Sequence, residues 1–211
     1  MSSASGTAPS DLFRERLLDA MLGLAPETGW TQSGLDRAAE KAGLTKGQVL
    51  LSCPNGVADL LEALGNRASR AAGTRLSQPD IAGMKVREKV ATAVRAYIAA
   101  LEPHKAAVKR ASASPANLLA GPRGLWTGAD AIWAGLGDKS TDYNWYTKRM
   151  ILTGVIGSTV VAWLGTDDPA QVDEFLANRI ENVMQFEKFK GQVQDAVSKM
   201  PNPFDLMGKP K

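Results

Sequence analysis

Apolar residues recur three and four positions apart along almost the whole chain, with few alternating β-branched runs, and this spacing predicts an all-α protein. A first helix is expected from Ser10 or Asp11 to about Leu22, burying Leu12, Phe13, Leu17, Leu18 and Met21 and closing near Gly23. Thr31 or Ser33 caps a second helix, which carries Leu35, Ala38, Ala39 and Ala42 up to Gly43. Thr45 caps a third over Lys46 to Leu51, and Val57 to Arg70 makes a fourth behind the turn at Pro54-Asn55. Three short helices joined by tight glycine-bearing turns predict a helix-turn-helix.

A small linker at Ala72-Gly73 and a turn at Pro79 lead into an amphipathic helix from Met84 to Leu101, with Val86, Val90, Val94, Tyr97, Ile98 and Leu101 inward. Residues 104–120 suggest a short helical pair broken at Pro115, and Arg123 or Thr127 to Leu136 presents Trp126, Ala129, Ile132 and Trp133. If Asp142 caps the next helix, Trp145, Arg149, Leu152, Ile156 and Trp163 share one stripe, with Tyr146, Thr153 and Val160 beside it. Asp167-Asp168-Pro169 opens the last long helix, and Gly191 is a candidate break in it. The expected organisation is a disordered lead-in over 1–9 and a degenerate helix-turn-helix region over 10–72. Helices of the same domain follow over 80–185, then a candidate membrane-interface helix over 186–200 and a flexible tail over 201–211.

Composition narrows the chemistry. With 211 residues, 44% hydrophobic and 22% charged, the chain has room for one core, and a net charge of +3 is too small to establish nucleic-acid binding. One cysteine, Cys53, excludes an intramolecular disulfide, and the lone His104 lacks the spacing of a helical di-iron site. Neither a secretory signal nor an arginine-rich transit peptide is legible at the start. The apolar run from Met150 to Leu164 would span about 22 Å as a helix, short of the roughly 30 Å of a bilayer core, so no transmembrane segment is predicted.

Ala38-Ala39-Glu40-Lys41-Ala42-Gly43-Leu44-Thr45-Lys46-Gly47 resembles the helix-turn-helix of TetR-type repressors. Its continuation, Gln48-Val49-Leu50-Leu51-Ser52, offers few of the polar groups that read base edges. The following turn, Cys53-Pro54-Asn55-Gly56-Val57, has no phosphate-facing lysine. A packing scaffold and a ligand-responsive transcriptional repressor are the two readings of this segment.

Gly137-Asp138-Lys139-Ser140-Thr141-Asp142-Tyr143-Asn144-Trp145-Tyr146-Thr147-Lys148-Arg149 is similar to the signature of the TetR-like lipid-binding accessory family of ubiquinone biosynthesis, the ninth protein family of the coenzyme Q pathway. That resemblance implies a non-catalytic homodimer that binds an isoprenoid lipid or quinone precursor and needs no cofactor of its own. It also implies docking on a membrane surface and service to the demethoxyubiquinone hydroxylase, a di-iron enzyme. The partner surface carries over to Asp142, Trp145, Tyr146 and Arg149. Neighbouring positions on a helix point about 100° apart, so Trp145 and Tyr146 do not share one buried face.

Residues expected to line a lipid pocket, or simply to fill a helical core, are Tyr97, Ile98, Leu118, Leu119, Leu125, Trp126, Ile132, Leu152 and Ile156. Gly154, Gly157 and Ser158 allow close approach of another helix. Phe186, Phe189, Val193, Val197 and Met200, with lysines nearby, suit either a membrane interface or packing on the protein's own domain. The expected setting is a reducing bacterial cytoplasm with peripheral membrane association.

Overall fold

The computed structural model describes residues 8–114, 121–141 and 143–198, with backbone alone at 121–122, 143 and 186–198. Helices dominate these residues: α1 (Pro9–Thr28), α2 (Gln32–Ala42), α3 (Lys46–Ser52), α4 (Val57–Leu76), α5 (Val86–Leu101), α6 (Lys105–Ser112), α7 (Gly121–Gly135), α8 (Tyr143–Gly165) and α9 (Pro169–Ser198). Single 3-10 turns precede α5 and α6. The all-α expectation holds, and no strand occurs among the described residues.

Local chemistry sets the helix ends. The Thr31 hydroxyl accepts the Gly34 N–H and caps α2, while Gly43, at φ 63°, closes it in the left-handed conformation that glycine tolerates. Thr45 and Gln48 cap α3 reciprocally: the Gln48 N–H donates to the Thr45 hydroxyl at 3.3 Å and the Thr45 N–H to Gln48 Oε1 at 2.8 Å. Asp168 accepts the Ala170 N–H at 2.9 Å at the start of α9.

Several boundaries differ from the sequence expectation. α1 does not stop at Gly23 but runs to Thr28, because Leu22 and Ala25 keep a buried stripe going and Gly29, at φ 68°, supplies the actual end. Ala72-Gly73 is no linker: α4 passes through it and buries Ala72 and Leu76. α9 likewise continues through Gly191 as one helix.

The long helix α4 packs on α7, α5 and α1 and forms the spine of the bundle. Leu17, Leu18 and Met21 of α1, Leu35 of α2 and Leu60 of α4 are almost fully buried where the N-terminal helices meet. The Trp30 indole N–H donates to the Ala107 carbonyl at 2.8 Å, tying α6 to the turn between α1 and α2. On the other side α8 packs on α7, and α9 lies across α8 and α5.

The spine is tight because α4 and α7 meet at glycines. A Cβ added to Gly65 would stand 2.8 Å from the Gly124 Cα, a distance at which backbone must shift. Gly65→Ala is expected to cost about 1–3 kcal/mol through overpacking and to lower the thermal midpoint measured by circular dichroism. Gly73→Ala, whose added Cβ meets nothing within 4 Å, is the matched control. It is expected to raise the midpoint slightly, by the helix propensity of alanine over glycine.

Candidate functional site

The turn between α7 and α8 holds a buried charge cluster. Asp138 follows Gly137, whose φ of 76° lets the chain reverse immediately after α7. Lys148 Nζ donates to Asp138 Oδ1 at 2.7 Å, and Arg149 Nη1 donates to Oδ2 at 3.2 Å. Ser140 adds a 2.7 Å bond to Oδ1, and Arg149 Nε reaches Asp130 of α7 at 2.6 Å. The Asp138 and Arg149 side chains are only 5% and 4% exposed. The hydrogen bonds from Lys148, then Ser140 and Arg149, hold the Asp138 carboxyl well below the usual carboxylate range.

This cluster orients the aromatic residues on the first turns of α8. The Arg149 guanidinium lies 4.0 Å from the Trp145 ring centroid, and Trp145 meets Trp126 edge-on at 5.9 Å and Tyr146 at 4.7 Å. The Trp133 indole N–H donates to the Lys148 carbonyl at 3.1 Å, with Lys148 Nζ 5.3 Å from the same ring. Trp145 is half-buried in this stack, whereas Tyr146 is 59% exposed and Met150, one turn on, 65%. Of the four residues expected at a partner surface, Tyr146 is presented to solvent. Arg149 is buried, a correction to its expected contact role: with its nitrogens engaged by Asp138, Asp130 and the Trp145 carbonyl, it positions Trp145 instead. Asp142 lies outside the described residues.

Beside this end of α8 opens a cavity of about 590 Å³ between α5, α8 and α9. Val90, Leu152, Val155, Ile180 and Val183 form its apolar body, and Lys85, Arg87, Asn144, Thr147 and Lys148 stand at its polar margin. A second cavity of about 490 Å³ lies further along the same three helices, with Ile98, Trp163, Val172 and Leu176 among its walls. An apolar body with a polar mouth suits an amphiphile.

The expected lipid-lining residues divide. Leu152 lines the first cavity and Ile98 the second. Tyr97, Ile132 and Ile156 are instead core residues, each 3% exposed or less, and line neither. Burial pushes the Tyr97 hydroxyl up to about 12. Leu125 and Trp126 are half-buried over α7 and also line neither cavity. Leu118, Leu119 and Met200 fall outside the described residues, as do the side chains of Phe186, Phe189, Val193 and Val197.

Val172, Phe175, Leu176, Ile180, Val183 and Met184 read in the sequence as one apolar stripe of the last long helix, with no cavity assigned to them, and Lys85 and Arg87 carry no site signal there. Such a stripe looks the same whether it meets side chains or a void. Among the described residues no three His, Cys, Asp or Glu side chains converge, and no helix is long and apolar enough to cross a membrane. Cys53 is buried, which pushes its thiol up, and His104 stands at the start of α6.

Three of the helices that build this site, α7, α8 and most of α9, coincide with the match to a known family, while α5 lies before it. A sequence model of the COQ9 family matches residues 119–187. The chain is similar to COQ9 proteins. "Ubiquinone biosynthesis protein COQ9, mitochondrial" of Drosophila melanogaster is 27% identical over 203 residues, covering 89% of this chain and 60% of that protein. The COQ9 of Homo sapiens is 26% identical over 193 residues, covering 86% and 61%. COQ9-B of Xenopus laevis reaches 46% over 50 residues, covering 23% and 17%.

The chain thus spans about three-fifths of the length of the COQ9 relatives it matches over most of its own. Their names place those relatives in mitochondria, and the bacterial setting expected from the sequence has no counterpart there. The fold is shared with a tetR-family transcriptional regulator from Streptomyces coelicolor: TM-score 0.51, 18% identity, 93% of this chain and 94% of that one.

The charge cluster has a pH signature. A carboxyl held below its unfolded value stabilises the fold while pH stays above that value, about 3.9 for aspartate, and the contribution fades as pH falls further. Asp138→Asn is therefore expected to lower the thermal midpoint at pH 7, with the gap to wild type narrowing below about pH 4. A gap independent of pH would show that shape, not charge, is what Asp138 contributes.

Proposed function

We propose that the protein is a non-catalytic lipid-binding accessory of ubiquinone biosynthesis. It holds an isoprenoid quinone precursor at a membrane surface and presents it to the demethoxyubiquinone hydroxylase, which supplies the di-iron chemistry. The observation that carries this reading is the cavity of about 590 Å³ with an apolar body and a polar mouth, walled by the same turns of α8 whose opposite face exposes Tyr146 and Met150. The similarity to proteins named for ubiquinone biosynthesis supports the pathway.

In this reading Tyr146 and Met150 form the contact, with the Trp145–Arg149 stack holding them in place, since exposed aromatics backed by a rigid platform suit binding hot spots. The protein acts as a homodimer. Residues Phe186, Phe189, Val193, Val197 and Met200 provide the membrane-facing apolar stripe, and attachment is peripheral.

The helix-turn-helix has a different surface from a DNA reader. α3 exposes Leu50 and Leu51, at 67% and 62%, and its Gln48 is spent on the helix cap. Apolar side chains there would meet phosphates and base edges without a hydrogen bond to offer.

Organic extraction of purified protein followed by mass spectrometry is expected to recover isoprenoid lipid in near-stoichiometric amount. Protein that is empty, and that binds duplex DNA selectively at nanomolar concentration, would support the repressor reading instead. Tyr146→Lys is expected to abolish capture of the hydroxylase with the melting curve unchanged, because the side chain is exposed. Trp145→Lys is expected to lower the melting temperature, since it inserts an ammonium into the indole stack. Full capture by the folded Tyr146 variant would remove that residue from the interface.

A further inference from the structure

We propose that the two cavities are the ends of one binding seam that takes up the first isoprene units of a polyprenylated ligand, with Leu176 as the divider that a long tail must pass and a short one need not. This rests on the lipid-binding reading above. Both cavities are walled by α5, α8 and α9. On α8, Val155 lines the first cavity and Thr159 the second; on α9, Ile180 lines the first and Leu176 the second. Each pair is four residues apart, one helical turn or about 6 Å. The partition between the two spaces is one turn thick on α8 and α9, and on α5 it includes buried Val94, which stands between Val90 and Arg95.

That partition is passable to hydrocarbon. Leu176 and Val155 are aliphatic, and the Thr159 hydroxyl is already satisfied by donating to the Val155 carbonyl at 2.7 Å. Displacing Leu176 would strand no polar group. α9 lies across α8 and α5 as the outer wall of the seam, and its apolar positions Val172, Leu176, Ile180 and Val183 follow the seam at helical spacing. From Ile151 to Trp163 the seam runs about 18 Å along α8, far more than a quinone ring requires and suited to a tail of several isoprene units.

The charges say which end takes the head. Around the second cavity they are already engaged: Arg95 pairs with Asp173 at 2.7 Å, Lys105 with Asp167 at 2.7 Å, the Trp163 indole N–H donates to Glu102, and Asp168 accepts from the Ala170 N–H at 2.9 Å and Gln171 Nε2 at 3.2 Å. The floor of Ile98, Trp163, Val172 and Leu176 is left to apolar contact. At the first cavity Lys85 and Arg87 are exposed at the margin. Moving a polar head past Leu176 would strip its water without replacement. The head thus stays at the Lys85 end, and the tail extends toward Trp163.

The test compares retention of ubiquinone-2 and ubiquinone-10 by the full chain, loaded from phosphatidylcholine nanodiscs and read by native mass spectrometry. Wild type is expected to retain ubiquinone-10 at least tenfold better than ubiquinone-2. Ala99→Trp places an indole at an exposed position on the wall of the second cavity, and is expected to cut ubiquinone-10 retention about tenfold while ubiquinone-2 falls less than twofold. Val172→Trp fills the same cavity from α9 and repeats the test should the first variant misfold. Equal retention of the two quinones by wild type, or a tenfold preference that survives both substitutions, overturns the seam and leaves the lipid-binding reading standing. Retention of neither quinone overturns both.

Discussion

Asp138 sits in the turn after α7 and receives two cations from the beginning of α8. Lys148 and Arg149 are neighbours in sequence and point about 100° apart on the helix, yet each finds one oxygen of the same carboxylate. That geometry exists at only one rotation of α8 about its own axis. Once the rotation is fixed, Trp145 lies under Arg149, Tyr146 faces solvent, and Ile151, Leu152 and Val155 turn toward α5 and α9 as cavity wall. Burying such charges is costly unless every partner is in place. Ser140 and Asp130 complete the set here, so the cluster gives specificity of placement rather than bulk stability.

Much of this fold could be read in advance, for a physical reason. A period of 3.6 residues records which side of a helix faces inward, and Leu17, Leu18 and Met21 of α1 or Val90, Val94 and Ile98 of α5 lie buried as that period demands. What lies opposite the inward face is not recorded. Tyr97, Ile132 and Ile156 meet other side chains, while Val90, Ile180 and Val183 meet a void, and the pattern is the same for both sets. Glycine misled in a related way. Gly23 and Gly73 resemble helix stops, but the apolar stripe resumes beyond each, and burial of Ala25 or Leu76 outweighs the weak propensity of one residue. Arg149 was placed on the correct stripe, but its role depended on Asp138, eleven residues away across a turn, which no local spacing announces.

The N-terminal helices show that a fold does not by itself specify a function. α2 and α3 keep the caps and the left-handed glycine that a helix-turn-helix requires, and the fold they belong to is shared with a transcriptional regulator. Gln48, a side chain chemically able to read a base, is committed to holding its own helix end, and leucines occupy the exposed positions after it.

The backbone contact of Gly65 with Gly124 bears on where the molecule can give way. Helices that meet through side chains can slide by rotamer changes, but at Gly65 and Gly124 α4 and α7 touch with no side chain between them and so have no compliant layer to deform at that point. The N-terminal helices and the α7 side of the bundle are then one stiff body. Any enlargement needed to admit a guest must be taken up on the opposite flank, where α9 rests across two helices with open space beneath it. Rigidity at one pair of glycines thereby assigns any such enlargement to α9, a helix on the far side of the molecule.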